Sequence, residues 1–405
     1  MCAMNKLKVL FVDDDIHVQQ SLRRIVMARK LPIELLLTTS ASEADRILSS
    51  NSCDVIVTDA RLSDMGGKEL LTHVRERWPM TMRILMTSEA EDGVVSSLLV
   101  AAHQLLNKPV GPTELLEAVQ SASRLRFLLM NERLRTVVHR MEHLPVVPNV
   151  YRELTRALRD ENTSNQTLAK ILSQDMSLTT GILKLINTPY FGLSRRVSDM
   201  LQAVGILGVN LIRGLVIADR VFKTLDPDMY PGFDTEKLWT HCLDVARCCR
   251  AVARSNGADG RAMEDAFLCG LLHDVGKIVL AEGCPGEFVR ILLLAQARNI
   301  PLADIEAEEL GVTHAEIGAY LLGLWGFSED VVIAIAQHHG TRQGPAWSSL
   351  SSVVHMVDVE MHNRYVRQSG HAPHSFASAL LDVEDGEVTL AKWKAVMVTE
   401  LESPN

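Results

Sequence analysis

The spacing of apolar positions changes once along this chain. Up to about residue 125, short continuous apolar runs alternate with stretches of helical spacing; beyond about residue 143 only helical spacing remains. The sharpest short run is Val55-Ile56-Val57-Thr58-Asp59, apolar or β-branched residues ending in one carboxylate. Such a run suits a buried parallel strand, with a segment of buried helix as the alternative. A second run, 8–12, ends in Asp13-Asp14-Asp15. A third, Ile84-Leu85-Met86, ends in Thr87-Ser88, and a fourth is Leu105-Leu106-Asn107-Lys108-Pro109. With covering helices expected over 16–27 and 67–74, this alternation predicts βα units and a parallel sheet. Open sheets of that kind collect ligands at the carboxyl ends of their strands. The carboxylates, hydroxyl and lysine that end these runs can therefore converge on one face.

From Pro112 the helical spacing runs on to about residue 143, and Pro112 suits a first helical turn because its missing N–H needs no partner there. Phe127, Met130, Leu134, Val137 and Met141 recur at alternating steps of three and four. That stripe reads either as a two-stranded coiled-coil seam, which would make the protein a homodimer, or as a face packed on the next domain. Further helices are expected over 164–172, 177–186, 199–207, 210–222, 236–255, 262–280, 287–298, 313–324, 328–339, 349–364 and 390–401. Thr313 and Glu316 form a capping box. Loops are expected over 226–232, 340–347 and 368–375.

Composition adds limits rather than detail. The 405 residues are 47% hydrophobic and 22% charged, ordinary for a folded protein. A net charge of −9 argues against a large nucleic-acid surface, and no apolar run approaches the length of a membrane span. The start meets Asp13 too early for a secretory signal. Seven scattered cysteines with no CxxC pair suggest neither a disulfide framework nor a zinc ribbon. The expectation is a cytoplasmic protein with reduced thiols and no nucleic-acid or membrane partner.

The first cluster has a chemical logic. Crowded carboxylates repel one another unless a hard cation sits among them, and Mg²⁺ prefers carboxylate, carbonyl and water oxygens. Lys108 and the Thr87 hydroxyl suit the oxygens of a transferred phosphoryl group, whose displacement needs mainly positioning and charge neutralisation. On these residues the chain resembles the receiver domain of two-component response regulators, over about 5–125. The resemblance implies a doubly wound, flavodoxin-like, five-stranded parallel sheet with Asp59 as phospho-acceptor. It implies Mg²⁺ held by Asp13, Asp14, Asp59 and the Arg61 carbonyl, and Thr87 and Lys108 as switch residues. A histidine kinase or phosphotransfer protein would be the phosphodonor. Two departures stand out: Leu62-Ser63-Asp64-Met65-Gly66-Gly67 replaces the usual Leu-Pro-x-Met-Asp-Gly, and Leu105 replaces the usual aromatic.

The helical half carries seven residues able to bind metal: His241, His273, Asp274, His314, His338, His339 and Asp358. Burying an adjacent His and Asp inside an apolar helix over 268–280 is costly unless they are paired or ligate a metal. Imidazole with carboxylate suits Fe, Mn or Zn, and Lys277, one turn beyond Asp274, could meet a phosphate. Gly270-Leu271-Leu272-His273-Asp274-Val275-Gly276-Lys277 resembles the centre of HD-type phosphohydrolases. Leu144-Pro145, Pro148, Asp175-Met176-Ser177-Leu178, Ile186-Asn187, Tyr190-Phe191-Gly192, Ala203 through Leu207-Gly208, Gly318 and Trp325 are similar, in order, to the HDOD output domains. That resemblance implies an all-α output module signalling through an output protein partner. The Gly-Tyr-Pro that follows the paired histidines of catalytic relatives is absent from His338-His339-Gly340-Thr341-Arg342-Gln343-Gly344-Pro345. The expected layout is a receiver over 1–125, a connecting helix over 112–143, an HDOD domain over 140–340 and a helical extension over 341–405. The expected function is a phosphorelay response regulator; the alternative is a receiver-controlled, metal-dependent phosphodiesterase of the cyclic di-GMP class.

Overall fold

In the computed structural model the described residues are 6–79, 81–87, 101, 102, 104–108, 110–112, 115, 116, 118, 119, 128, 131, 133, 134, 137, 149–158, 163–188, 191, 196–222, 230, 233–339, 349–369 and 386–402. They fall into two compact units, Met1–Arg135 and Thr136–Asn405. Much of the connecting helix expected over 112–143 lies outside the described residues, as do Pro109, Leu144-Pro145, Pro148, Pro189, Tyr190, Gly192 and 340–345.

The first unit is a doubly wound α/β sheet. Its elements are β1 (Leu7–Val12), α1 (Ile16–Ala28), β2 (Ile33–Thr38), α2 (Ala41–Ser50), β3 (Val55–Asp59), α3 (Gly67–Arg77), β4 (Met82–Thr87) and β5 (Gln104–Asn107). The five strands lie in the order β2-β1-β3-β4-β5, all parallel. Strands covered on both faces read as continuous apolar runs. β3 and β4 are buried along their whole lengths, and Leu10, Ile56, Leu71, Val74 and Leu85 form part of one core cluster. Each such side chain contributes about 1.5–3 kcal/mol when fully buried. The strand order reverses between β1 and β3, so their carboxyl ends flank the crevice where such sheets bind ligands.

The second unit, among the described residues, is helical. It comprises α4 (Asn149–Ala157), α5 (Asn165–Leu172), α6 (Met176–Ile186), α7 (Met200–Val221), α8 (Thr235–Ser255), α9 (Gly260–Leu272), α10 (Val275–Gly283), α11 (Pro285–Arg298), α12 (Leu302–Glu309), α13 (His314–Leu324), α14 (Glu329–Ala336), α15 (Leu350–Ser369) and α16 (Gly386–Glu402). The long helix α8 packs against α9, α15 and α16, while α13 packs against α10 and α14. Trp393 of α16 is fully buried and donates to Asn256 Oδ1 at 3.1 Å; Arg247 of α8 donates to the Glu400 carbonyl at 2.8 Å.

Three expectations need correction. The helix expected over 262–280 is two helices, α9 and α10, which break at His273-Asp274. The break releases both side chains, which an unbroken helix would turn about 100° apart. The helices expected over 199–207 and 210–222 are both present, separated by non-helical backbone at Gly208, whose φ of 72° is left-handed. Against the expectation that no apolar run approaches the length of a membrane span, Met200–Asp219 taken together is long and apolar enough to cross one, but 56% of its apolar window is buried inside the unit. Finally, α14 stops at Ala336, so His338 and His339 stand in the turn after it rather than on the helix expected over 328–339.

Candidate phospho-acceptor site and metal centre

At the carboxyl edge of the sheet, Asp59 is the last residue of β3, and Asp13 follows β1 directly. The Lys108 ammonium, just beyond β5, lies 2.5 Å from Asp59 Oδ2 and 3.8 Å from Asp13 Oδ2. Asp13, Asp14 and Asp59 each offer an oxygen, all within 4.8 Å of one another. Burial pushes the Asp13 carboxyl above its ordinary range, against the Asp15 amide and Lys108, which favour its charge. Gln19 donates to the carbonyls of Asp13 and Thr38 at 2.7 and 2.8 Å, which ties the end of β1 to the end of β2.

Thr87 ends β4 and is 4% exposed; its carbonyl accepts from the Lys108 amide at 2.8 Å. The Arg61 amide donates to Asp59 Oδ1 at 3.3 Å. The unusual loop after Asp59 is anchored by Asp64, which accepts from the Ala41 and Ser42 amides, both at 3.0 Å, and from Ser42 Oγ at 2.8 Å. Gly67 permits a close approach here, since a Cβ would fall 1.9 Å from the Asp59 carbonyl. Leu105 lies in β5. The residues expected from sequence to form this site are therefore neighbours.

In the helical unit the seven candidate ligands also converge. Asp274 sits at the centre. Its Oδ1 lies 3.1 Å from His314 Nε2 and 3.7 Å from His338 Nε2. Its Oδ2 lies 2.6 Å from Lys277 Nζ, 3.4 Å from His273 Nε2 and 4.0 Å from His241 Nε2. Asp358, from α15, stands 3.0 Å from His241 Nε2 and 3.5 Å from His273 Nε2. His339 Nε2 is 2.8 Å from His314 Nε2.

Two donor sets result: Asp274, His314, His338 and His339 on one side, and His241, His273 and Asp358 on the other. Gly276 allows this gathering, because α10 crosses the start of α13 so closely that a Cβ would lie 1.9 Å from the His314 carbonyl.

The chemistry of the donors fits a cation. Among the described residues, Asp274 Oδ1, His273 Nε2 and His338 Nε2 are buried without a hydrogen-bond partner, and buried polar atoms of that kind call for an explanation such as an ion. His273 and His338 set their Nδ1 atoms 2.8 and 2.7 Å from the carbonyls of Gly270 and Ile335, which turns Nε2 of both rings inward. Burial carries His338 down to about 4 and His339 well below the ordinary imidazole range, so both are neutral at pH 7. Burial also pulls His273 down, but Asp274 and Asp358 outweigh it and carry that ring up to about 10. Burial opposes ionisation of Asp274, yet His273 and Lys277 hold it well below the carboxylate range. Two ligands at about 2.1 Å from one ion stand roughly 3.0–3.4 Å apart for octahedral to tetrahedral angles, a range that includes the 3.1 Å between His314 Nε2 and Asp274 Oδ1.

Residues 144–341 match the HDOD domain family, and residues 9–120 match the response regulator receiver domain family. The chain is a receiver–HDOD protein. An uncharacterised protein of Treponema pallidum is 28% identical over 213 residues, 52% of this chain and 40% of that protein. The hydrogenase transcriptional regulatory protein HoxA of Bradyrhizobium diazoefficiens is 31% identical over 119 residues, 29% of this chain and 24% of the regulator. The receiver–HDOD chain thus spans less than half the length of either curated relative. A crystal structure of an HDOD domain protein of unknown function from Geobacter sulfurreducens aligns with a TM-score of 0.50 at 22% identity, over 67% of this chain and 96% of that one. That likeness concerns the fold.

Within the HDOD domain, sequence reasoning missed Glu306. This carboxylate is 0% exposed, and its Oε2 lies 2.6 Å from His314 Nδ1. The only signal was its place beside Ala303 and Ile305 on the apolar side of a short acidic helix. Asp358, assigned from helix order alone, does reach the cluster, although it lies beyond the residues that match the family.

Proposed function

We propose that this receiver–HDOD protein is a phosphorelay response regulator. Asp59 accepts a phosphoryl group from a histidine kinase or phosphotransfer protein, and the HDOD domain relays that state to a protein partner. The observation that carries the reading is the Lys108 ammonium 2.5 Å from Asp59, with Asp13 and Asp14 alongside. An Asp59 oxygen attacks phosphorus in line; the new O–P bond forms as the donor's P–N bond breaks, and the imidazole leaves with the electron pair. Lys108 then neutralises a phosphoryl oxygen, and the Thr87 hydroxyl is the donor for another. Mg²⁺, when bound, would be held by Asp13, Asp14, Asp59 and the Arg61 carbonyl, where it supplies charge neutralisation. Asp59→Asn is expected to abolish Mg²⁺-dependent labelling by an acyl phosphate; undiminished, acid-stable labelling of that variant would overturn the assignment. A cytoplasmic location, with no nucleic-acid or membrane partner, accompanies this reading.

In the output domain we assign one Fe, Mn or Zn ion per chain to Asp274, His314, His338 and His339. Lys277 already brings a positive charge to the other carboxylate oxygen, at 2.6 Å, where a second ion would have to displace it. A bound ion here acts as a structural or sensory ligand. The second reading, a phosphodiesterase, draws on the completeness of the donor set and on Lys277 as a phosphate contact. Metal-loaded protein should leave cyclic di-GMP and a generic phosphodiester intact, whether or not Asp59 is phosphorylated. Turnover above about 0.1 per second, low for an enzyme, that vanished in Asp274→Ala would make the protein an enzyme instead.

A further inference from the structure

Three of the imidazoles around Asp274, those of His273, His314 and His338, are not oriented in the same way. His273 and His338 each use Nδ1 against a backbone carbonyl three residues earlier, a neutral acceptor supplied by their own turn. His314 uses a side chain from another helix. Its Nδ1 lies 2.6 Å from Glu306 Oε2, and its backbone amide donates to the same oxygen at 2.7 Å. Both residues are 0% exposed, and Glu306 Oε1 has no partner among the described residues. A carboxylate stripped of water is expensive to keep, and a glutamine could satisfy the same two donors without the charge. The charge therefore calls for a reason beyond packing.

Three features converge on the position of His314. It is the first residue of α13, a helix start fixed by the Thr313 and Glu316 capping box. Its carbonyl is the atom against which Gly276 packs. Its Nε2 faces Asp274 Oδ1 at 3.1 Å and His339 Nε2 at 2.8 Å. The ring is thus fixed in place, and only its tautomer remains to be set. An acceptor at Nδ1 keeps a proton there, so that a cation taking the place of any proton at Nε2 meets a lone pair facing Asp274 and His339. A charged acceptor also makes that lone pair more basic, as carboxylates behind metal-bound histidines do.

We infer that Glu306 is the positioning residue of this centre: it fixes His314 as the Nδ1–H tautomer and makes Nε2 the strongest neutral donor of the set. The inference rests on the metal reading proposed above and extends it to a residue on α12 that touches no ion. Arg290 and Arg298 of α11 pair with Glu309 and Glu308 of α12, so the helix that presents Glu306 is braced from outside the cluster.

The test uses the full-length protein stripped of metal and titrated with Co²⁺ and with Zn²⁺, alongside Glu306→Gln and Glu306→Ala. Affinity is read by calorimetry, the ligand field by visible absorption of the Co²⁺ form, and folding by melting of the metal-free proteins. Loss of an orienting carboxylate typically weakens metal binding 10–100-fold. Glu306→Gln should fall in that range, with a shifted Co²⁺ spectrum and a metal-free melting temperature close to wild type. Wild-type protein that binds neither ion would overturn the metal reading and this inference with it. Wild-type binding with Glu306→Gln equally tight would overturn the inference alone. If the variants do not fold, nitrogen NMR of the His314 ring in the wild-type, metal-free protein decides. A ring protonated at Nδ1 supports the assignment, and a ring protonated at Nε2 alone refutes it.

Discussion

Replacing Gly276 with alanine tests how the output cluster is held together. An added Cβ would sit 1.9 Å from the His314 carbonyl oxygen and 2.8 Å from the Gly318 amide nitrogen. Real contacts of this kind begin near 3.0 Å, so α10 and α13 must part by about 1.1 Å (3.0 minus 1.9). Both obstacles are backbone, so no side-chain rotation relieves them. Overpacking of a close-packed interior costs about 1–3 kcal/mol, and a backbone obstacle belongs at the upper end. Alanine's better helix propensity returns up to about 1 kcal/mol. The net loss is about 2 kcal/mol, and at roughly 2–4 °C per kcal/mol for a unit of this size the melting temperature should drop about 4–8 °C.

The same 1.1 Å would move His314 Nε2 from its 3.1 Å position at Asp274, so metal affinity should fall together with stability. Gly205→Ala is the control. It lies on an exposed stretch of α7 with nothing within 4 Å of its Cβ, so it should gain up to about 1 kcal/mol. Scanning calorimetry of full-length protein gives both numbers. If Gly276→Ala melts as high as wild type, or if the two alanines behave alike, the close crossing of α10 and α13 does not carry the site.

Two further substitutions probe the scaffolds. The Ser42 and Ala41 amides and the Ser42 hydroxyl hold the Asp64 carboxyl at about 2. Because that value is depressed, its contribution is complete above about pH 4, the ordinary carboxylate range, and is lost as pH falls through 2. Asp64→Asn should lower the receiver's melting temperature at pH 7 and flatten its decline between pH 4 and 2; parallel acid declines by circular dichroism would contradict this. Tyr151→Phe removes a buried hydroxyl that donates to the Trp325 carbonyl at 2.7 Å and accepts from Arg213 at 2.8 Å. It should cost about 1–3 kcal/mol, read as a lower urea midpoint at unchanged slope, and a midpoint equal to wild type would refute the role of that contact.

The receiver site was legible because each of its residues ends a short apolar run. Val55–Asp59 is β3 from first residue to last, and a buried parallel strand cannot conceal its pattern among surface residues. The output cluster was legible only residue by residue. His273-Asp274 was placed inside a helix, because apolar spacing continues unbroken from Leu268 to Leu280. The break between α9 and α10 lies next to the close crossing of α10 on α13 at Gly276, a tertiary contact that no local pattern announces. Glu306 stayed hidden for a related reason. Its helix ends in acidic residues that read as a solvated face, and its burial comes from a histidine eight positions later.

The clamp between α8 and α16 has a consequence for how the protein is made. Arg247 and Glu400 are 153 residues apart, and Trp393 meets Asn256 across 137. Loop closures of that span must precede the contacts that reward them, which slows folding. Synthesis delivers the receiver, which matches its family over residues 9–120, ahead of the HDOD domain, and domains generally fold as they emerge. The α8 helix emerges far ahead of α16, so Arg247 and the face around it have not yet met Glu400 and the rest of that partner. During translation the nascent chain therefore carries a finished input domain joined to an unfinished output domain. Residues 386–402, well past the stretch that matches the family, are the ones that close it.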